Sequence, residues 1–189
     1  MKKYIFLFLL SATTITISAQ VGAVKIGLAS LYNGNISGFG LGGGMTLEYR
    51  VSRKFTFSGA FDYTSGDATA EVSGSSNSPL KGSFTSTTFS FRPEFRLYFK
   101  EAMKGFFLGA GLGLGNYKSG RMIVNNTTAR LEISSKFLAY PALMFGLNVQ
   151  PTPKFCIELS GGIGASTGND QYNTPDPTFP FALRLGYSF

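Results

Sequence analysis

Eight segments of this sequence, roughly 22–32, 38–51, 55–64, 86–99, 106–117, 137–150, 155–165 and 179–189, alternate with a period of two. Successive side chains of a β-strand point to opposite faces, so this period selects strands over helices. One face of each segment is apolar: Val24, Ile26 and Leu28; Phe57, Phe61 and Tyr63; Phe91, Phe95 and Leu97; Leu108 and Leu112; Leu143, Phe145 and Leu147; Ile157, Leu159 and Ile163. No charge falls on it. The other face carries every charged residue of the segments, Lys25, Glu48, Arg50, Asp62, Arg92, Glu94, Arg96, Glu158 and Arg184, and most of the glycines, among them Gly40, Gly42, Gly109, Gly113, Gly162 and Gly164.

Parity does not say which face is inside. A water-filled exterior favours many Lys and Glu and has little use for glycine, whereas the cramped interior of a small barrel needs small residues. The nine charges also nearly cancel, five basic against four acidic, as groups do that must pair away from bulk water. The apolar face is therefore expected in lipid and the polar face in a lumen. A sheet in hydrocarbon must close on itself, because an open edge leaves backbone groups unpaired. The expected fold is all-β: a single eight-stranded antiparallel up-and-down transmembrane β-barrel. Segments of about 10 to 14 residues suit this, since a tilted strand needs about 9 to 11 to cross a bilayer.

The connections alternate in length. Those at 52–54, 100–105 and 151–154 are short, and those at 65–85, 118–136 and 166–178 are long, polar and rich in Gly, Ser, Asn and Thr. Periplasmic turns and extracellular loops differ in this way. The connection at 33–37 departs from the rule by being short.

The first twenty residues, MKKYIFLFLLSATTITISAQ, have two lysines, an apolar core and a small-residue end. They read as a secretory signal peptide, residues 1–19, cut between Ala19 and Gln20, and residues 20–189 read as the barrel. No Cys stands there to carry a lipid. The apolar core is too short for a membrane helix, and no later stretch reaches 18 continuous apolar residues. The only cysteine is Cys156, so no disulfide framework is available. Without Lys2 and Lys3 the chain has 15 basic and 10 acidic side chains; they are dispersed with no basic run, and no nucleic-acid partner is expected.

Two motifs resemble active-site signatures. Gly38 to Gly43 matches GxGxxG, but the residues that follow keep period two, where a dinucleotide site requires a helix. Gly164 to Gly168 matches GxSxG, but the chain contains no histidine to act as the usual base. The missing histidine also removes the commonest ligand for zinc, copper or iron. Asp170 and Asp176 fit no calcium-loop spacing, and the Asn-x-Ser/Thr matches at Asn35, Asn125 and Asn126 read as chance. Each strand carboxylate has a cation on the same face, so ion pairs account for them better than acid–base work. No catalytic residue, cofactor or metal is expected.

The last segment places Phe181, Leu183, Leu185, Tyr187 and Phe189 on one face, with Phe189 as the final residue of the sequence. With the run Arg92-Pro93-Glu94-Phe95-Arg96-Leu97-Tyr98-Phe99, this pattern resembles the small outer-membrane β-barrels of Gram-negative bacteria, the OmpA/OmpX-like or "porin family" barrels. The resemblance implies a barrel-only member in the outer membrane, with membrane lipids as its surroundings. It also implies an assembly signal, Phe181, Leu183, Leu185, Tyr187 and Phe189, read by the barrel-assembly machinery. The function it implies is non-enzymatic, in envelope structure or surface interaction; the alternative is a passive channel for small solutes. The upper glycines either leave a vestibule or make room for Tyr140 and Met144, and the expectation is a closed salt-bridged floor in the lower lumen beneath a small vestibule.

Overall fold

A computed structural model describes residues 22–33, 38–72, 80–125, 128–167 and 175–189. The proposed signal peptide, Asn35, Asn126, Gly168 and Asp170 lie outside the described residues. Eight strands follow one another: β1 (Gly22–Asn33), β2 (Gly38–Arg50), β3 (Phe55–Val72), β4 (Leu80–Tyr98), β5 (Gly105–Asn125), β6 (Thr128–Val149), β7 (Phe155–Thr167) and β8 (Pro175–Ser188). Each pairs antiparallel with the next, and β8 returns to pair with β1, so the sheet is a closed barrel without a free edge along its wall. Closure runs from Asn33 opposite Thr178 down to Ala23 opposite Ser188, and below that Gly22 and Phe189 exchange two backbone hydrogen bonds of 2.7 and 2.8 Å.

Burial is inverted relative to a protein that folds in water. Ile26, Phe95, Phe106 and Phe137 are each more than 60% exposed, while Lys25, Glu48, Glu94, Arg96, Glu158 and Arg184 are wholly buried. The period-two pattern is the cause: once the sheet curves shut, one parity of every strand points to the interior and the other to the surroundings. The interior of a narrow barrel leaves little room, and several inward glycines sit where a side chain would collide. A Cβ at Gly42 would lie within 2 Å of the Tyr63 carbonyl oxygen, and one at Gly115 2.1 Å from that of Phe89.

β3 to β6 run well beyond the segments expected for them, and the loop expected at 166–178 is shortened too, with β7 reaching Thr167 and β8 beginning at Pro175. The long polar connections expected at 65–85 and 118–136 are largely strand: β3 continues to Val72, β4 begins at Leu80, β5 reaches Asn125 and β6 starts at Thr128. Ladder pairing extends through these segments, from Ser65 opposite Thr87 to Val72 opposite Leu80, and from Lys118 opposite Ser135 to Asn125 opposite Thr128. These segments carry few large apolar residues and many Gly, Ser, Thr and Asn, so by composition they read as loops, yet their backbone ladders continue. The described ladder between β4 and β5 ends at Thr88 opposite Tyr117. Beyond that level β3–β4 and β5–β6 project as two hairpins without a shared ladder, joined by the Ser86 hydroxyl donating to the Lys118 carbonyl at 2.9 Å and by Ala68, Phe84 and Leu131 packed between them.

Within the wall, the β4–β5 ladder skips Arg92 and Pro93. Proline has no N–H to contribute, and its ring leaves a local gap in the pairing. At the opposite end of the barrel from the hairpins, the turn 99–104 folds across the opening. Ala102 N–H donates to the Arg53 carbonyl of the neighbouring turn at 2.8 Å, and Met103, buried, adopts a left-handed conformation at φ 65°. This turn is more than a connection: it covers the mouth.

Candidate functional site

The site grows from one strand. In β4, Arg92, Glu94, Arg96 and Tyr98 occupy alternate positions and so share the inward face, with Pro93, Phe95 and Leu97 turned outward. Register brings the same parity of neighbouring strands to the same level: Ser58 of β3 stands opposite Glu94, and Glu48 of β2 opposite Ser58. On the other side of the barrel Glu158 of β7 faces Arg184 of β8, and Lys25 projects inward from β1.

These side chains make one connected network. Glu94 takes Arg92 Nε on one oxygen and Arg96 Nε, at 2.8 Å, on the other. Arg96 Nη1 reaches across the lumen to donate to Glu158 Oε2 at 2.8 Å and also approaches Glu48 Oε2 at 3.4 Å. Lys25 Nζ bridges the same two carboxylates, Glu48 and Glu158. Arg184 Nη2 donates to Asp62 Oδ1 at 2.6 Å and its other nitrogen lies 3.6 Å from Glu158 Oε1, while Arg92 closes the circuit 3.8 Å from Asp62. Thr56 and Tyr98 hydroxyls both donate to Glu48 Oε1, at 2.6 and 2.8 Å. Buried carboxylates keep their charge only when so many donors replace water.

Eight of the nine charges singled out in the sequence meet here: Lys25, Glu48, Asp62, Arg92, Glu94, Arg96, Glu158 and Arg184. Arg50 does not. It lies at the end of β2, 30% exposed, 3.8 Å from Glu101 of the turn 99–104. Parity assigns Arg50 to the inward face, but the last residue of a strand sits past the rim, where a long side chain turns towards water. Without it the interior holds four cations and four carboxylates.

Beneath this network lies an apolar layer that alternation only half reveals. The Arg96 guanidinium stands 4.6 Å from the centre of the Phe107 ring, which packs against Tyr98 at 5.2 Å, and Ala102 and Met103 complete the seal. Tyr98 continues the parity of the β4 charges, and Phe107 that of Gly109 and Gly111, so both were legible as inward. Met103 belongs to a turn and carries no periodic signal.

Above the network, Leu31, Tyr117, Tyr140, Ala142 and Met144 form a buried cluster. The small vestibule expected above the floor is instead filled, because Tyr140 and Met144 occupy the space the glycines leave. A Cβ on Gly113 would fall 2.2 Å from the Tyr140 ring, and one on Gly162 2.3 Å from the Met144 sulfur. Beside the cluster, Leu31, Thr64, Ser86 and Thr88 line a cavity of about 10 Å³, room for a single water. Thr46, Ser160, Thr178 and Asn148 each bury a polar side-chain atom that has no protein hydrogen-bond partner, and buried groups of this kind are ordinarily satisfied by internal water.

The remaining candidates are on the outside or in the wall. Phe181, Leu183, Leu185 and Tyr187 point outward from β8, and Phe189 extends the same exposed row beside Gly22 of β1. Gly38 to Gly43 lies within β2, which continues as strand to Arg50, and Gly164 to Thr167 ends β7. Among the described residues no group of three or more His, Cys, Asp or Glu is placed to hold a metal ion.

Comparison with known proteins gives a family and a fold. The model of the family described as "Protein of unknown function (DUF3575)" matches residues 5–180. No curated protein matches the chain. Among solved structures the chain is similar to Neisserial surface protein A (TM-score 0.55, 14% identity, covering 91% of this chain and 98% of that one). It is also similar to Ail, the attachment invasion locus protein of Yersinia pestis (TM-score 0.54, 17% identity, 89% and 98% covered), and to the outer membrane protein OprG from Pseudomonas aeruginosa (TM-score 0.50, 11% identity, 90% and 96% covered). At these identities the likeness is one of fold.

Proposed function

The chain belongs to the DUF3575 family, and from that premise we propose that it is a non-enzymatic integral barrel of the Gram-negative outer membrane, exported with loss of residues 1–19. Its proposed role is to present the projecting β3–β4 and β5–β6 hairpins at the cell surface from a sealed wall. The observation that carries this reading is the combination of an apolar exterior with a charge-neutral, cross-linked interior. An apolar belt is stable facing lipid and costly facing water. The similar solved barrels of outer membranes support the same reading. The outward apolar row of β8, ending in Phe189, is the proposed recognition strand for the assembly machinery; Phe189→Ser is then expected to lower assembly in cells more than folding into detergent.

The channel reading requires a continuous water path. Here the lumen is crossed by the salt-bridged network, sealed below by Phe107 and Met103 and above by Tyr140 and Met144. Single-channel recording on the refolded protein in a planar bilayer is the test. No steady conductance is expected; a steady open level in wild type would put the channel first. Surface presentation is tested by protease treatment of intact cells, with cleavage in the hairpin segments expected and complete resistance counting against it.

A further inference from the structure

The charges of this barrel are sorted by level. Inside the lumen they cancel. In the segments 67–81, 118–136 and 170–176 they cancel again, five cations against five carboxylates. At the short-turn end they do not: Arg50, Arg53, Lys54, Lys100, Lys104 and Lys154 stand there with a single acidic side chain, Glu101. That carboxylate is shared between Arg50 at 3.8 Å and Lys104 at 3.4 Å, and all the other cations at this rim are exposed. The whole net charge of the chain after residue 20 is therefore carried by one ring of turns.

One sector of this ring adjoins an apolar groove on the outer wall. The groove, about 960 Å³, rises from Phe99 and Lys100 past Phe106 and Phe145 to Phe181. Its floor is Gly161, one of the few glycines on the outward face, where a Cβ would still clear the Phe145 and Phe181 rings by 3.5 Å or more. An outward glycine between two aromatic walls leaves a slot of acyl-chain width, and a lysine stands at its mouth where a lipid headgroup lies.

We propose that this groove and its basic rim form a seat for an anionic glycerophospholipid of the periplasmic leaflet, with one acyl chain along Gly161 and the headgroup phosphate at Lys100 and Lys104. The inference rests on the membrane reading above. Cations near a bilayer surface attract anionic headgroups over about a Debye length, and a rim with no compensating acid other than Glu101 concentrates that attraction on one leaflet. The seat also gives the barrel a preferred depth, because phosphate and lysine must share one level.

The test uses folded protein in phosphatidylcholine vesicles with trace spin-labelled phosphatidylglycerol or phosphatidylcholine, reading the motionally restricted fraction of each. Wild type is expected to prefer phosphatidylglycerol several-fold at low salt, with near parity in molar salt. The double variant Lys100→Gln, Lys104→Gln should lower the preference. Glu101→Gln should raise it, a gain that misfolding does not mimic. Gly161→Leu should reduce the restricted fraction of both lipids alike by filling the slot. Equal restriction of the two lipids by wild type, or a preference indifferent to both charge changes, would overturn the seat while leaving the membrane reading intact. Protein that floats free of the vesicles and restricts neither lipid would overturn the membrane reading itself.

Discussion

Glu94 has an arginine on each carboxylate oxygen, and both arginines are buried with it. Removing its charge leaves Arg92 with the more distant Asp62 as its carboxylate partner, and Arg96 with Glu158 and Glu48 across the lumen. Breaking one partner of a fully buried network costs about 3 to 5 kcal/mol. Internal water at the unpartnered polar sites lowers that figure. Glu94→Gln is expected to destabilise the barrel by an amount of this order, measured by reversible urea unfolding in lipid vesicles; a change below about 0.5 kcal/mol, the range of ordinary surface substitutions, would mean that water already solvates the site. Two adjacent residues of β5 separate the two environments. Leu112 is outward and 44% exposed, so Leu112→Arg should cost about 2 to 4 kcal/mol near the bilayer midplane. Gly113 is inward, and its Cβ would enter the Tyr140 ring. Gly113→Ala should cost about 1 to 3 kcal/mol by overpacking, and the smaller Tyr140→Leu should relieve it in the double variant. A negligible effect of Leu112→Arg would point to a water-facing exterior.

At the scale of elements, β3 to β6 have two parts with different reasons to exist. Their near halves complete the wall, pairing on both sides, and their far halves pair only within their own hairpins in the described ladders. The far halves therefore contribute little to closure. Replacing residues 120–131 by a short turn is expected to leave the barrel folded, read as the retained shift in gel mobility between unheated and boiled samples. Loss of that shift would mean that the hairpin helps hold the wall. The same division explains the limits of period two as a guide: Asp67 to Val72 and Leu80 to Thr85 still alternate, but with small and polar residues of loop-like composition, so their backbone pairing and not their composition identifies them as strand.

For the whole molecule, the lumen is closed by three barriers in series: the cluster of Tyr140 and Met144 above, the ion-pair network, and the apolar seal beneath it. Each is expected to hinder ions by itself. Glu94→Gln alone should raise conductance little while Phe107 and Met103 still cap the mouth, and Phe107→Ala alone should do the same while the network remains. The triple variant Glu94→Gln, Phe107→Ala, Tyr140→Ala, which weakens all three levels, is expected to conduct well above either single variant, measured in planar bilayers. A large rise from Glu94→Gln alone would show that the apolar layers leak.

Most of this architecture was written in the order of residues. Parity specified eight wall strands and which side chains share a face, because alternation is a local property, and the glycines and balanced charges of one face marked it as the enclosed one. Three things were settled only in three dimensions. Arg50 left the lumen because position relative to the rim depends on where neighbouring strands end. The glycine-lined upper half proved full rather than open, because whether Tyr140 and Met144 occupy that space depends on register between β5, β6 and β7. The turn 99–104 became a lid over the short-turn mouth, because Met103 and Ala102 meet Phe107 and the Arg53 turn only after the barrel closes. Alternation determines which way a side chain points; contact across the lumen requires the closed ring.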